Sequence, residues 1–498
     1  MADPSLEELL AELEARERRA DEGGGRARQA RQRRLGRGNA RERIAALVDP
    51  GSFVELGRHV LHRHGHDSET LAAHRHPGDG LVCGMATVDG REVAVYAHDP
   101  TVLRGALGRA GADKLCRLLD LAGRRRTPLV ALVDSDGARV EEVVDAIDGY
   151  GQVMARTIRL KGAVPQLTLI CGLAVGGAAY TAVLTDVVGM VAGQSFLFLT
   201  GEKVARVVTG EEVALDDLGG SDVHARTTGS CHAVLPDEAA GMAWLRRLLD
   251  HLHAAPATDP VDRATPELET LVPTASRRAY DVRPVLACIF DGGSITELSA
   301  GFARNLVTVL ARLGGRTVAV VASQSLVLGG CLDADASRKG AAFVTWAGAL
   351  GVPILTLVDV PGYVPGRKQE EAGVLAAGAE LLAAYGRVRV PLVCLVLRKS
   401  YGGGNVLSFA ADVRLALPMA RVAPMGVDAA LEVALGPEPE DASAEELAAR
   451  AAKRDAWRAR NDHGWAAAEA GYIDRVIRPA DARRELAATL ACLEPRRA

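Results

Sequence analysis

The chain has no CxxC pair, and its eight cysteines, at 83, 116, 171, 231, 288, 331, 394 and 492, stand far apart. That spacing argues against a zinc ribbon or a dithiol redox motif and reads as small buried residues of a reducing compartment. Charge of one sign is equally scarce: the formal net charge is −4 over 498 residues, so there is no polyanion-binding signature and no nucleic acid is expected as a partner. The start, Met1-Ala2-Asp3-Pro4-Ser5-Leu6-Glu7-Glu8, is acidic and lacks the basic-then-apolar pattern of a signal peptide, so a cytoplasmic protein is expected. The uncharged run from 162 to 185 holds a proline, a glutamine, three threonines and four glycines, which disfavours a membrane-spanning helix.

Familiar catalytic signatures are missing too: there is no Gly-x-Ser-x-Gly elbow, no GxxxxGK[ST] phosphate loop and no HExxH. Ser400 follows Lys399, as a serine nucleophile with a lysine base would. The matching stretch elsewhere in the chain holds Ala174 and Val175 and no base, so a hydrolase is not expected. Hydrophobic residues at 48% and charged residues at 24% are ordinary for a soluble globular chain, and the length implies two or three domains.

What is present is a duplication. Leu47-Val48-Asp49-Pro50-Gly51-Ser52-Phe53-Val54-Glu55-Leu56 matches Ile289 to Leu298, an offset of 242 (298 − 56). Thr127-Pro128-Leu129-Val130-Ala131-Leu132-Val133-Asp134 matches Val352 to Asp359 at an offset of 225 (359 − 134), and Lys114 and Lys339 keep that register. The glycine turns Gly176-Gly177 and Gly402-Gly403 follow at 226 (402 − 176). One register held over more than a hundred residues marks an internal repeat. Each half alternates short β-branched runs with helical stretches, which predicts α/β units with parallel strands. The expected organisation is a charged helical segment over 1–46, an N-terminal half over 47–255, a linker rich in Pro, Thr and charge over 256–284, and a C-terminal half over 285–498. The arginines between 26 and 34 read most simply as a solvated face, the alternative being a grip on an anionic ligand tail. The first half carries 17 extra residues (242 − 225) where His59, His62, His64, His66, His74 and His76 crowd together. Histidine is a common metal ligand, but no cysteine or ligand-presenting helix accompanies these six, so an exposed loop and no metal are expected.

Each half offers two turns directly after a strand. The first is Asp134-Ser135-Asp136-Gly137-Ala138-Arg139 in one half and Asp359-Val360-Pro361-Gly362-Tyr363 in the other. The second is Val175-Gly176-Gly177 in one half and Tyr401-Gly402-Gly403-Gly404-Asn405 in the other. In parallel α/β folds ligands collect at the C-terminal ends of strands, and bare N–H groups there can stabilise a developing oxyanion.

Together with Ala40-Arg41-Glu42-Arg43-Ile44, Gly78-Asp79-Gly80, Phe198-Leu199-Thr200-Gly201, Val208-Thr209-Gly210-Glu211-Glu212 and Leu218-Gly219-Gly220, these turns make the chain resemble a known family. It is that of the carboxyltransferase (beta) subunits of biotin-dependent acyl-CoA carboxylases, of the propionyl-CoA and acetyl-CoA carboxylase type, and of the related acyl-CoA decarboxylases. The resemblance implies an α/β fold of two duplicated crotonase-like (ClpP/crotonase) domains. It also implies transfer of a carboxyl group from carboxybiotin to the α-carbon of a short acyl-CoA, through two enolates that each need an oxyanion hole. Carried onto this chain, the hole for the coenzyme A thioester falls on Asp136, Gly137 and Ala138, and that for biotin on Gly403 and Gly404. Gly176, Gly177, Tyr401, Asn405 and Val406 fall at substrate-binding positions, with Val406 where the acyl group is selected. With no biotin-attachment site or ATP-grasp segment in the chain, the biotin carboxylase and biotin carboxyl carrier subunit are expected as separate partners, around a homo-hexamer. Two departures set rival readings. Gly404-Asn405-Val406 stands where the family has alanine and an aromatic, which suggests a malonyl- or methylmalonyl-type decarboxylase. Asp136 stands where the family has glycine, which suggests an inactive scaffold subunit.

Overall fold

A computed structural model of the chain describes residues 3–62, 75–426, 429–430, 432–433, 436, 442–461 and 463–493. The chain forms two compact units, Met1–Asp250 and His251–Ala498. The first contains β1 (Val54–Glu55), β2 (Leu81–Val88), β3 (Arg91–His98), β4 (Leu129–Ser135), β5 (Gln166–Val175), β6 (Val187–Val191), β7 (Phe196–Phe198) and β8 (Ala233–Leu235). The second contains β9 (Thr296–Leu298), β10 (Leu306–Leu313), β11 (Arg316–Ser323), β12 (Ile354–Val360), β13 (Leu392–Tyr401), β14 (Val413–Ala416), β15 (Arg421–Ala423) and β16 (Arg475–Val476). The sheet orders are β1-β2-β3-β4-β5-β6-β8 with β7 beside β5, and β16-β14-β13-β12-β11-β10-β9 with β15 beside β13. Strand for strand the second sheet repeats the first. An antiparallel start (β1-β2-β3, β9-β10-β11) leads into parallel pairing for the rest.

The central strands show why the sequence folds this way. β4 and β12 are buried at all seven positions, as continuous apolar runs must be when both faces of a parallel sheet are covered. The cover over β4 includes the helix Arg109–Arg125, which turns Leu115, Leu118, Leu119 and Ala122 inward at helical spacing into one cluster with Val133, Ile170 and Met190. In the second unit Val309, Leu357 and Leu395 pack with Leu286, Phe290 and Leu486. The charged N-terminal segment forms helices Leu6–Glu22, Arg26–Arg34 and Ala40–Leu47. The first and last open on capping boxes, Ser5 with Glu8 and Asn39 with Glu42. Ile44 and Leu47 bury the last helix against the unit. The stretch expected as a linker, 256–284, is packed within the second unit, because Leu268, Val272 and Val282 enter its core.

Both sheets break register at the same place. Between Val133/Ile170 and Ser135/Ala174 the single residue Asp134 faces three residues of β5, and between Val358/Val396 and Val360/Ser400 the single residue Asp359 faces three of β13. A bulge of this kind bends its strand, and in β5 and β13 it falls a few residues before the glycines that follow each strand. Among the described residues no helix is long and apolar enough to cross a membrane, and no group of His, Cys, Asp and Glu could hold a metal. His64, His66 and His74 lie outside the described residues.

Candidate active site

The turn after β4 spends two of its three expected donors. Asp136 donates its N–H to Arg104 O at 3.2 Å, and Gly137 donates to Ser135 Oγ at 3.1 Å. The chain then leaves in a short parallel bridge, with Leu107 N donating to Gly137 O (2.9 Å) and Arg139 N donating to Leu107 O (3.0 Å). The N–H of Ala138, between those two bonds, has no acceptor among the described residues. The Asp136 carboxylate forms an ion pair with Arg104, so the charge that suggested an inactive subunit has its counterion beside it.

The turn after β5 lies directly against this one. A Cβ on Gly137, which sits at φ +93°, would come within 2.6 Å of Val175 O and 3.8 Å of Gly177 N. Gly176 donates to Phe198 O at 3.2 Å, while Gly177 begins the helix Gly177–Leu184, whose first N–H groups carry no side-chain cap. The structure thus brings Asp136, Gly137, Ala138, Gly176 and Gly177 together. It leaves Ala138 and Gly177 as the pair of neighbouring unspent donors.

The second unit repeats the arrangement. Leu332 N donates to Gly362 O (3.0 Å) and Val364 N to Leu332 O (2.7 Å), so Tyr363 occupies the place of Ala138. Gly402–Asn405 is a 3₁₀ turn, in which N–H groups from the third residue onward close onto the chain, so Gly403 is its free donor and Gly404 is not. Gly404 is required for packing instead, since a Cβ there would meet Val360 Cγ1 at 2.5 Å. Tyr363 covers Gly403, whose Cβ position is 2.7 Å from the ring. In the first unit Tyr150 covers Gly177 in the same manner, at 2.6 Å, but comes from the helix Val143–Leu160.

The polar side chains at the second turn point inward. Ser400 Oγ donates to Asn405 Oδ1 (2.7 Å) and Asn405 Nδ2 donates to Gly402 O (3.0 Å), so both are bound up in holding the turn. Val406 is buried at the start of the short helix Val406–Phe409, and Tyr401 is the buried last residue of β13. Lys399 lies with Nζ at 4.0 Å from Asp359, and burial lowers its pKa. No serine nucleophile with a lysine base results.

Several residues that shape the site were not singled out as site residues from the sequence. Arg139, fully buried, donates to Asp79 and to Glu142, each at 2.7 Å, and so fixes the exit of the first turn. Burial raises the Asp79 carboxyl above its usual range against the pull of Arg139. Tyr150, whose hydroxyl burial pushes well up, stands 3.5 Å from Ser135 Oγ, the group that accepts from Gly137. Superposing the two Gly-Gly turns in the sequence finds Gly177 and Gly403 but not these partners, which come from distant segments.

Two repeated α/β units, each with backbone N–H groups that lack an acceptor among the described residues at the C-terminal ends of parallel strands, define a duplicated crotonase-like fold. The description "carboxyl transferase domain" matches residues 31–498, and the chain belongs to that family. It is 39% identical over 500 residues to the propionyl-CoA carboxylase beta chain of Roseobacter denitrificans, covering 98% of this chain and 97% of that one. To the methylmalonyl-CoA decarboxylase subunit alpha of Propionigenium modestum it is 37% identical over 503 residues, covering 98% and 96%. Among solved structures it is similar to a transcarboxylase 12S hexamer with methylmalonyl-coenzyme A and methylmalonic acid bound, with a TM-score of 0.95, 36% identity, and 100% and 98% of the two chains covered. The chain is accordingly an enzyme subunit, a carboxyl transferase of the type those propionyl-CoA carboxylase chains represent.

Proposed function

We propose that this subunit moves a carboxyl group between carboxybiotin, carried on a separate subunit, and the α-carbon of a short acyl-CoA. The observation that carries this reading is the pair of adjacent unspent N–H groups in each unit, Ala138 with Gly177 and Tyr363 with Gly403. Ala138 and Gly177 hold the thioester oxygen and stabilise the negative charge it gains as the α-proton leaves. Tyr363 and Gly403 receive a neutral carbonyl oxygen of the urea type. The fit is chemical, because the turn offers bare donors and its own polar side chains, Ser400 and Asn405, are turned onto each other. When bound, the biotin group supplies the carboxyl carbon and the base for the α-proton. The chain orients the two reactants, excludes water with Tyr150, Tyr363 and Val406, and keeps both oxygens on donors that do not titrate. Losing one such donor costs about 3 kcal/mol of barrier. The transcarboxylase 12S relative supports assembly as a hexamer, and the family resemblance supports a biotinylated carrier and biotin carboxylase as partners.

The test is incubation of the purified protein with malonyl-CoA and with methylmalonyl-CoA, with and without biotinylated carrier, following the CoA esters by mass. Carrier-dependent loss of the free carboxyl group supports the proposal. Decarboxylation that ignores the carrier refutes it, and absence of both turnover and CoA binding points to a scaffold.

A further inference from the structure

Beneath each glycine turn lies a buried carboxylate held by a buried guanidinium, and the two halves obtain the guanidinium from different places. In the first unit Asp134 Oδ1 accepts from Leu173 N at 3.1 Å, across the bulge, and Asp134 Oδ2 accepts from Arg43 Nη2 at 3.0 Å. In the second, Asp359 Oδ1 accepts from Lys399 N at 3.2 Å, and Asp359 Oδ2 accepts from Arg398 Nε and Nη2 at 3.1 and 2.7 Å. Leu173 and Lys399 are matching positions of the repeat (399 − 173 = 226), each four residues before the donor glycine.

The guanidinium does not share that register. Arg398 projects from β13 itself, beside the bulge. The matching position in β5 is Gly172, where a Cβ would fall 2.1 Å from Asp134 Oδ1. The first half therefore has no room for an arginine on the strand and takes one from the helix Ala40–Leu47. The side chain of Arg43 is wholly buried and is shared between Asp134 and Glu238, at 2.8 Å from the latter. Burial opposes its charge, and Cys171, Asp134 and Glu238 nevertheless raise its pKa. Arg398 spends its other nitrogen on Ala275 O (2.8 Å) and Arg278 O (2.7 Å) and lies 4.7 Å from the Tyr280 ring centre. A buried ion pair is a poor source of net stability, and apolar residues of equal volume often do better. Two different arginines serving one carboxylate position point to a geometric task.

We propose that Arg43–Asp134 and Arg398–Asp359 are positioning pairs. Each clamps the end of the strand that carries a glycine donor, so that Gly177 and Gly403 stand at the right place beside Ala138 and Tyr363. The helix Ala40–Leu47 then belongs to the machinery of the first hole, not to a peripheral arm. The kinetic part rests on the carboxyl-transfer reading given above. The clamp itself does not, and the experiment has one arm for each.

The first arm is amide hydrogen exchange on Asp134→Asn, which keeps the side-chain shape, with Arg43→Met and Arg43→Lys alongside. Exchange should quicken about tenfold or more over residues 173–177 while β2 and β3 keep their protection. The second arm is carrier-dependent turnover of methylmalonyl-CoA. A donor displaced by a fraction of an ångström should lower kcat by about tenfold to a hundredfold. KM should stay within about twofold, and Arg43→Lys should fall between wild type and Arg43→Met. Unchanged exchange at 173–177 in folded Asp134→Asn overturns the clamp. Faster exchange with kcat intact overturns its role in the reaction. If wild type itself does not turn over, the carboxyl-transfer reading fails, and the exchange arm still decides for or against the clamp.

Discussion

The contact between the two turns of the first unit predicts a severe effect for the smallest possible change, Gly137→Ala. Gly137 sits at φ +93°, beyond the region an L-residue enters without strain, and that strain costs about 1–2 kcal/mol. The added methyl would also stand 2.6 Å from Val175 O, where ordinary contact begins at 3.4 Å, so the turns must part by about 0.8 Å (3.4 − 2.6). Forcing such an overlap in a packed site costs about 1–3 kcal/mol more. The sum, about 2–5 kcal/mol, corresponds to a fall in melting temperature of about 5–15 °C. Because the parting separates Ala138 from Gly177, kcat should fall by about tenfold to a hundredfold with little change in KM. The assay is carrier-dependent turnover of methylmalonyl-CoA, read beside thermal unfolding. Gly151→Ala is the control, since its Cβ meets nothing within 4 Å on an exposed helix position. It should leave turnover unchanged and add up to about 1 kcal/mol of stability. A folded Gly137→Ala protein with wild-type kcat would refute the placement of the first hole.

In the second unit, Gly403→Pro removes the N–H and drives a ring into Tyr363, so turnover should drop by more than about a hundredfold, and activity within tenfold of wild type would place the biotin-side donor elsewhere. Asn405→Ala takes away the acceptor of the Ser400 hydroxyl and the side-chain donor to the Gly402 carbonyl, which should cost about 1–3 kcal/mol in thermal stability while KM for the acyl-CoA stays level. A large rise in KM at unchanged stability would instead mean that Asn405 touches substrate. His98 is buried beside Tyr96, and burial, only partly opposed by Asp134 and reinforced by Arg43, pushes its imidazole down to about 4 from 6.5. The unfolded chain therefore binds the extra proton between those values, and stability falls as pH drops from 6.5 to about 4, by about 3 kcal/mol in full. His98→Phe should remove that part of the slope in unfolding midpoints measured across the window, and parallel curves for the two proteins would clear His98 of it.

The amino-acid sequence by itself determined the duplication, the strand-then-glycine turns and the membership in a carboxyltransferase family. These are local properties: apolar runs long enough for a buried strand, glycines where the backbone turns, and a register repeated along the chain. Tertiary structure decided which of the expected donors are free. Asp136 and Gly137 lose theirs to Arg104 and Ser135 Oγ, Gly404 closes its own turn, and Asn405 faces Ser400. Donor accounting of this kind depends on what each N–H meets, and the partners arrive from segments far away in sequence. The same holds for the paired tyrosines over Gly177 and Gly403, and for Arg43, which a sequence reading leaves on a charged N-terminal arm. Only the fold shows that an arginine 91 positions before Asp134 holds its carboxylate as Arg398, from within its own strand, holds that of Asp359, because Gly172 leaves no space for a side chain there.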